Sequence, residues 1–182
     1  EAGLNVYDFT EDDRSDPDME SEDAPPLPAG VFRNAGHVRP MSELCLKYPL
    51  ETAGIAVFDL WIGNEDRALN FKAELSGTER GVIFALDQGS SLLSCRASVL
   101  ESLDTLSSEA FPSFHPFQRL VNPLYCKSWV ERILEMPPWA VLSATTYGDT
   151  VGNVTLDEQY AAYDALLRRK DLLDGLLNRI LL

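Results

Sequence analysis

The sequence predicts a mainly helical α+β domain, and three features of the chain support this fold class. An apolar segment with helical spacing begins at Pro49 and ends at Gly63. A short segment at residues 71–75 and an apolar run at residues 81–86 are predicted to pair as a β-hairpin. The chain after Asp87 returns to helical spacing, which predicts a helical scaffold up to the carboxyl terminus.

The charge of the chain is strongly acidic and unevenly distributed. The 182 residues carry a net charge of −14, and residues 1–23 hold ten acids against Arg14 alone. Like charge repels nucleic acid and anionic lipid, so we expect neither as a direct partner. Residues 1–40 are predicted to be an acidic, proline-rich, flexible segment, and residues 41–182 to form the folded domain. The alternative for the acidic segment is a docking arm for a basic partner.

The cysteine content indicates the compartment. Cys45, Cys95 and Cys126 are too few and too far apart for a disulfide framework or a zinc ribbon. Isolated thiols are typical of a reducing compartment, so a cytoplasmic location is predicted. Because the chain starts with Glu1 rather than Met, we expect it to be part of a longer polypeptide.

The segment beginning at Pro49 predicts a central helix that leads into a polar loop. Proline suits the first turn of a helix, where its missing N–H costs nothing. Apolar residues lie on both faces of the segment, which predicts a largely buried helix. Gly63 can adopt the left-handed conformation that ends helices, and Asn64 to Asn70 would then form a loop on a rigid support.

The predicted hairpin would place acidic and amide side chains close together. Its strands are residues 71–75 and 81–86, with a turn at 76–78, and the apolar second strand is expected to be buried. Asn70 and Asp87 lie at the open end of this hairpin and are therefore expected to be near one another.

The remainder of the chain predicts scaffold helices. Helices are expected at 98–106 and 128–135, the latter ending before Pro137, and Thr155 is a candidate N-cap for the last helix. Residues 111–117 are expected to pack on the core. Residues 168–171 are interpreted as a solvated face or a short break in the last helix.

The polar loops suit the chemistry of phosphoryl transfer. That reaction needs a positioned hydroxyl, cations near the phosphates and a carboxylate that orients the nucleophile. Asp66 would be the carboxylate, and Asn70 and Asp87 would be oxygen ligands of Mg²⁺. Arg67 could pair with an acid or a phosphate, and Gly89 would allow a sharp turn.

Each of these patterns also has a purely structural interpretation. An Asn-x-Asp-Arg loop after a helix is usually a turn with a surface ion pair, and Asp-x-Gly is common in turns. His37 and His115 have no acid or cysteine at ligand spacing, so no metal site is predicted there. Lys127 could activate Cys126, although a buried structural thiol is favoured. The three tryptophans are interpreted as core or cleft packing.

Two sequence segments resemble the catalytic and metal-binding motifs of HipA-like kinases, which have counterparts in phosphatidylinositol kinases. They are residues 61–67, Trp-Ile-Gly-Asn-Glu-Asp-Arg, and residues 84–89, Phe-Ala-Leu-Asp-Gln-Gly. The segment 160–177 is also similar to the closing helices of small bacterial members. The resemblance implies a protein-kinase-like C-lobe over residues 49–182, with a small β-hairpin that carries the catalytic and metal loops.

The resemblance also implies roles for individual residues. Asp66 and Arg67 would be catalytic, Asn64 and Gly89 would bind the nucleotide, and the cofactors would be ATP and Mg²⁺ held by Asn70 and Asp87. The phosphate acceptor would be a serine or threonine hydroxyl of a protein substrate.

The chain departs from this family at two points. Asn70 follows Asp66 by four residues, one fewer than is usual in the family. Nothing before Pro49 is typical of a phosphate-gripping N-lobe, and Lys47 is the only lysine there. Two interpretations therefore stay open: an ATP-dependent kinase whose N-lobe is supplied elsewhere, or a non-catalytic pseudokinase-type interaction module.

Overall fold

A computed structural model describes residues 5–7, 38–73, 81–110 and 114–182 of the chain, and within these ranges the protein is a mainly helical α+β domain. The predicted fold class is confirmed at this level. The helices are α1 (Met41–Lys47), α2 (Pro49–Ile62), α3 (Val99–Leu106), α4 (Pro123–Glu135), α5 (Pro138–Thr145) and α6 (Leu156–Leu181). The strands are β1 (Asn5–Tyr7), β2 (Val38–Pro40), β3 (Phe71–Ala73), β4 (Ile83–Ala85), β5 (Thr150–Val151) and β6 (Val154–Thr155).

The six strands form three two-stranded antiparallel sheets, β1 with β2, β3 with β4 and β5 with β6. The pairing of β1 with β2 brings the two ends of the 1–40 segment together. The rest of that segment, including the predicted flexible region, lies outside the described residues.

Helix α2 is the central element of the core. It begins at Pro49, as predicted, and packs against α4 and α6 through buried residues such as Ala56 and Leu60. Gly63 ends the helix with a φ of 69°, in the left-handed region that favours glycine. A Cβ at this position would lie 2.9 Å from Leu106, so packing excludes a larger residue as well. The predicted bounds of this helix are confirmed.

The β3–β4 hairpin confirms the predicted pairing and places the two polar loops at its open end. Phe71 pairs with Ala85 and Ala73 with Ile83. The two β3 residues Phe71 and Ala73 are buried, but β4 is not a buried strand. Phe84 is 50% exposed, because it lies on the face of the hairpin that the described core does not cover. The predicted turn at 76–78 falls outside the described residues.

The scaffold helices agree only in part with their predicted bounds. Helix α3 has the predicted end at Leu106, and Ser98 caps its first turn. Helix α4 starts five residues earlier than predicted, because Asn122 caps it by accepting hydrogen bonds from two backbone N–H groups. Helix α5 was not predicted, although Pro138 suits its first position. Trp139 is 71% exposed on it, so its predicted packing role is wrong.

Helix α6 is continuous, contrary to the predicted solvated face or break at residues 168–171. Thr155 caps it as predicted and forms a reciprocal capping box with Glu158. Arg169 is fully buried and donates hydrogen bonds to backbone carbonyls at the ends of α2 and α3 and in the turn after α3. Lys170 is also buried and donates to the Met136 carbonyl. Charged side chains therefore satisfy the helix ends inside the scaffold.

The three cysteines are buried and unpaired. Burial raises the pKa of Cys126 to about 11 and is also the main cause of the rise in the pKa of Cys45 to about 12. The structural interpretation of Cys126 is favoured over activation by Lys127, because burial disfavours the thiolate. None of the helices in the described ranges has the length and apolar composition needed to cross a membrane.

Candidate functional site

The candidate site is built on a buried carboxylate in α2. Asp59 is fully buried, and it accepts hydrogen bonds from Arg67 Nε at 2.7 Å and Nη2 at 2.8 Å. Asn64 Nδ2 donates to the same carboxylate at 3.0 Å, and His115 Nε2 lies 3.2 Å from Oδ2. Each carboxylate oxygen is thus satisfied inside the protein, which a buried charge requires.

The hydrogen bonds around Asp59 favour its charged form and indicate the tautomer of His115. Burial raises the pKa of the Asp59 carboxyl, but the hydrogen bonds donated by Arg67 and His115 outweigh it, so the pKa lies below its usual range. His115 Nδ1 accepts from the backbone N–H of Phe117 at 3.2 Å. The ring proton therefore lies on Nε2 and points toward Asp59.

Arg67 joins the two polar loops, which we name the first loop (residues 64–70) and the second loop (residues 86–91). Its Nη1 donates to the backbone carbonyl of Asn70 in the first loop and to that of Leu86 in the second, the latter at 2.6 Å. Its Nη2 also donates to Gln88 Oε1 at 2.8 Å. Because one planar guanidinium makes all these bonds, the two loops are held in a fixed relative position.

Asn64 adds a second connection between the loops. Its Nδ2 donates to Gln88 Oε1 at 3.2 Å, and its Oδ1 accepts from the backbone N–H of Asp66 at 3.1 Å. The backbone N–H of Glu65 reaches the Ser90 carbonyl at 3.3 Å. Asn64 and Arg67 are both buried, so their side chains act within the protein.

Asp66 and Asn70 are in direct contact at the surface of the first loop. Asn70 Nδ2 donates to the Asp66 carbonyl at 2.8 Å and to Asp66 Oδ2 at 3.1 Å. Because both partner atoms are acceptors, the amide atom of Asn70 that faces Asp66 must be the nitrogen, Nδ2. Within the described ranges, the hydrogen bonds of the Asn70 amide are those that Nδ2 donates.

Asp87 begins the turn of the second loop in a strained conformation. Its φ is 41°, in the left-handed region that non-glycine residues seldom adopt. Its Oδ1 accepts from the Gly89 backbone N–H at 2.8 Å, and a Cβ at residue 89 would lie 2.9 Å from that oxygen. Leu86 N donates to Asn70 O at 2.9 Å, so Asp87 directly follows the residue that is paired with Asn70.

The structure therefore places the predicted site residues in three positions. Asp66, Asn70 and Asp87 lie on loops that are bonded together, with their side chains exposed or half-buried. Asn64 and Arg67 lie beneath them, where they bind the loops to Asp59. Gly89 lies in the exposed turn of the second loop. Arg67 is expected from the sequence to pair with an acid or a phosphate, and in the structure it pairs with an acid, Asp59.

The oxygen atoms at the loop surface match the ligand preference of magnesium. Mg²⁺ usually takes one or two protein oxygens and completes its shell with water and phosphate oxygens. Asn70 Oδ1 and the second oxygen of Asp87 are of this kind. Among the residues that the structure describes, no group of three or more histidine, cysteine or acidic side chains is placed to hold a metal ion.

Three residues of the site were missed in the sequence: Asp59, Gln88 and His115. Asp59 is an acid within an otherwise apolar helix, and such a residue is seldom buried unless it is paired. This signal could have identified Asp59. His115 lies 56 residues further along the chain, and only the fold reveals that an acid is near it.

Comparisons with known proteins give no relative for this chain. It matches no family model, no curated protein and no solved structure.

Proposed function

We propose that this chain is the C-lobe of a HipA-like, ATP- and Mg²⁺-dependent kinase that phosphorylates a serine or threonine hydroxyl of a protein. The observation that carries the proposal is that Arg67 donates hydrogen bonds to both loops. One buried guanidinium binds the carbonyls of Asn70 and Leu86, so the backbones of the two loops are held next to one another. Phosphoryl transfer depends mainly on such positioning.

In the proposed reaction Asp66 acts on the acceptor hydroxyl. As the hydroxyl oxygen forms a bond to the γ-phosphorus of ATP, Asp66 takes its proton, and the bond from that phosphorus to the bridging oxygen of ADP breaks. Asn70 orients Asp66 through its hydrogen bond to Oδ2. Mg²⁺, when bound, would neutralise charge on the phosphates.

The residues that would hold this metal are Asn70 and Asp87. Asp87 is exposed, and among the described residues the Gly89 N–H is the one donor that binds its carboxylate, which supports the assignment. Under this proposal Asn64 and Arg67 have a positioning role: both are buried, and neither contacts the substrate directly.

A non-catalytic, pseudokinase-type interaction module is the second candidate. The observation that favours it is the full use of Arg67 inside the protein. Its Nε and Nη2 bind Asp59, and its Nη1 binds backbone carbonyls, so no guanidinium nitrogen faces a phosphate. The shortened spacing between Asp66 and Asn70 supports the same alternative.

Nucleotide binding and phosphate transfer test the first proposal separately. We expect Mg-ATP to raise the melting temperature, since a ligand that binds only the folded state stabilises it. Asp87→Asn should abolish this shift. Asp66→Asn should retain the shift and lose transfer of labelled phosphate to a serine peptide. Asp174→Asn, an exposed acid on α6, is the matched control and should behave as wild type.

Two outcomes would contradict the kinase assignment. Transfer that continues undiminished in Asp66→Asn would remove the proposed base. A melting temperature that Mg-ATP does not change, for wild type and variants alike, would favour the interaction module.

A further inference from the structure

A concave surface of the molecule begins at the second loop. It is a groove of about 520 Å³ with one wall formed by residues 88–94. The opposite wall comes from the end of α5 and the β5–β6 hairpin, and Gln159 and Ala162 of α6 also line the groove. We name this surface the α5 groove.

One end of the α5 groove adjoins the candidate site. Gln88 lines the groove, and its Oε1 accepts hydrogen bonds from both Asn64 and Arg67. Asn64 in turn accepts from the backbone N–H of Asp66. Gln88 and Asn64 therefore connect this end of the groove to the backbone of Asp66.

The charge around the α5 groove identifies the kind of segment that fits. Its lining contains no charged side chain. Six charged residues lie within two positions of the lining residues: Asp87, Arg96, Asp149, Asp157, Glu158 and Asp164. Arg96 forms an ion pair with Glu65, and Glu158 is engaged in the capping box of α6. Of the four remaining acids, Asp157 and Asp164 lie two positions from Gln159 and Ala162 on α6, about 200° around the helix, so they face away from the groove. Asp87, next to Gln88, and Asp149, two residues after Tyr147, are exposed and form the acidic rim.

We propose, on the basis of the function proposed above, that the α5 groove binds an extended, basic segment of the protein substrate and places its serine or threonine beside Asp66. Apolar lining would contact the side chains of the segment, and the acidic rim would attract its positive charge. A second copy of this chain is a poor occupant, because its net charge of −14 would be repelled by the same rim.

The test measures binding of a fluorescent serine peptide flanked by arginines, without nucleotide. Ala144 is exposed and lines the groove, so Ala144→Trp should obstruct it without disturbing the core. We expect this change to raise the Kd at least about tenfold. Ser143→Trp adds the same side chain at an exposed neighbour outside the lining and should leave the Kd unchanged.

A charge variant tests the contribution of the acidic rim. Asp149→Lys should raise the Kd about fivefold, and added salt should reduce the difference. Asp174→Lys makes the same charge change on α6, 15 residues beyond Gln159, or about 22 Å along the helix, and should have little effect.

The outcomes separate this inference from the proposed function. Equal binding of an acidic peptide, or binding that Ala144→Trp leaves unchanged, would overturn the groove assignment. The groove assignment would also be overturned if sedimentation detected a dimer and Ala144→Trp dissociated it, because the occupant would then be a second copy of the chain. Peptide binding that follows the expected pattern, in a chain that Mg-ATP does not stabilise, would retain the groove and reject the kinase function.

Discussion

Arg67 binds Asp59 through two parallel hydrogen bonds, Nε to Oδ2 at 2.7 Å and Nη2 to Oδ1 at 2.8 Å, with both side chains buried. This pair connects the central helix α2 to the two loops that carry Asp66 and Asp87. The fork geometry of the guanidinium leaves Nη1 free to bind the carbonyls of Asn70 and Leu86. The pair therefore serves both the stability of the core and the position of the site.

Removal of the Asp59 charge should destabilise the protein strongly. Asp59→Asn leaves Arg67 as a buried cation without a counter-ion and turns an amide N–H toward other donors. We expect a loss of about 3–5 kcal/mol in the free energy of unfolding, measured by urea denaturation.

Glu65→Gln is the control for this prediction. Glu65 and Arg96 form a partly exposed ion pair, and its loss should cost at most about 1 kcal/mol. Equal effects of the two substitutions would show that the buried pair contributes no more than a surface pair.

The same carboxylate should make stability depend on pH in the acidic range. The folded state holds the pKa of Asp59 below its usual range, so the unfolded state binds the proton more readily. The stabilisation is therefore complete above the unfolded pKa of about 4 and is lost as pH falls through the lower, folded value. The difference in unfolding free energy between wild type and Asp59→Asn should shrink below about pH 4. A difference that stays constant down to acid unfolding would contradict this.

Local signals in the sequence predicted the elements that position the site. Pro49 and Gly63 set the bounds of α2, because each residue has a strong conformational preference at a helix end. The pairing of β3 with β4 followed from a short possible strand and an apolar run on either side of a turn. These features depend on neighbouring residues, which a single sequence displays directly.

The parts that the sequence did not reveal depend on distant contacts. His115 meets Asp59 only because the segment after α3 folds back over α2. Arg169 was interpreted as solvated because charged residues usually are, but its partners are carbonyls of α2 and α3. The exposed β4 strand was expected to be buried because apolar composition alone does not show which face the core covers.

Arg169 should be essential to the scaffold, because it binds backbone carbonyls from several segments of the chain. Its guanidinium donates to five carbonyls, those of Leu60, Thr105, Leu106, Ser108 and Ala110. Burial lowers its pKa to about 10, yet the group remains charged at neutral pH. Lysine cannot reach all of these acceptors, so Arg169→Lys should cost about 3 kcal/mol or more in urea denaturation.

The adjacent residue provides a matched control for Arg169. Arg168 is exposed on the same helix and contacts Ser107 at 3.3 Å. Arg168→Lys should change the free energy of unfolding by at most about 0.5 kcal/mol. A similar cost for the two substitutions would indicate that the carbonyl contacts of Arg169 add little.

Two helical glycines should respond to alanine in opposite directions. Alanine normally stabilises a helix interior by about 0.5–1 kcal/mol over glycine. At Gly175 nothing lies within 4 Å of an added Cβ, so Gly175→Ala should raise the melting temperature. At Gly54 the Cβ would lie 2.6 Å from the ring of Trp129, whose Nε1 is held by the Leu50 carbonyl. Gly54→Ala should therefore destabilise the protein by about 1–3 kcal/mol. Stabilisation by both substitutions would mean that the Trp129 ring moves aside without cost, and that α2 and α4 are packed less tightly than their contact at Gly54 implies.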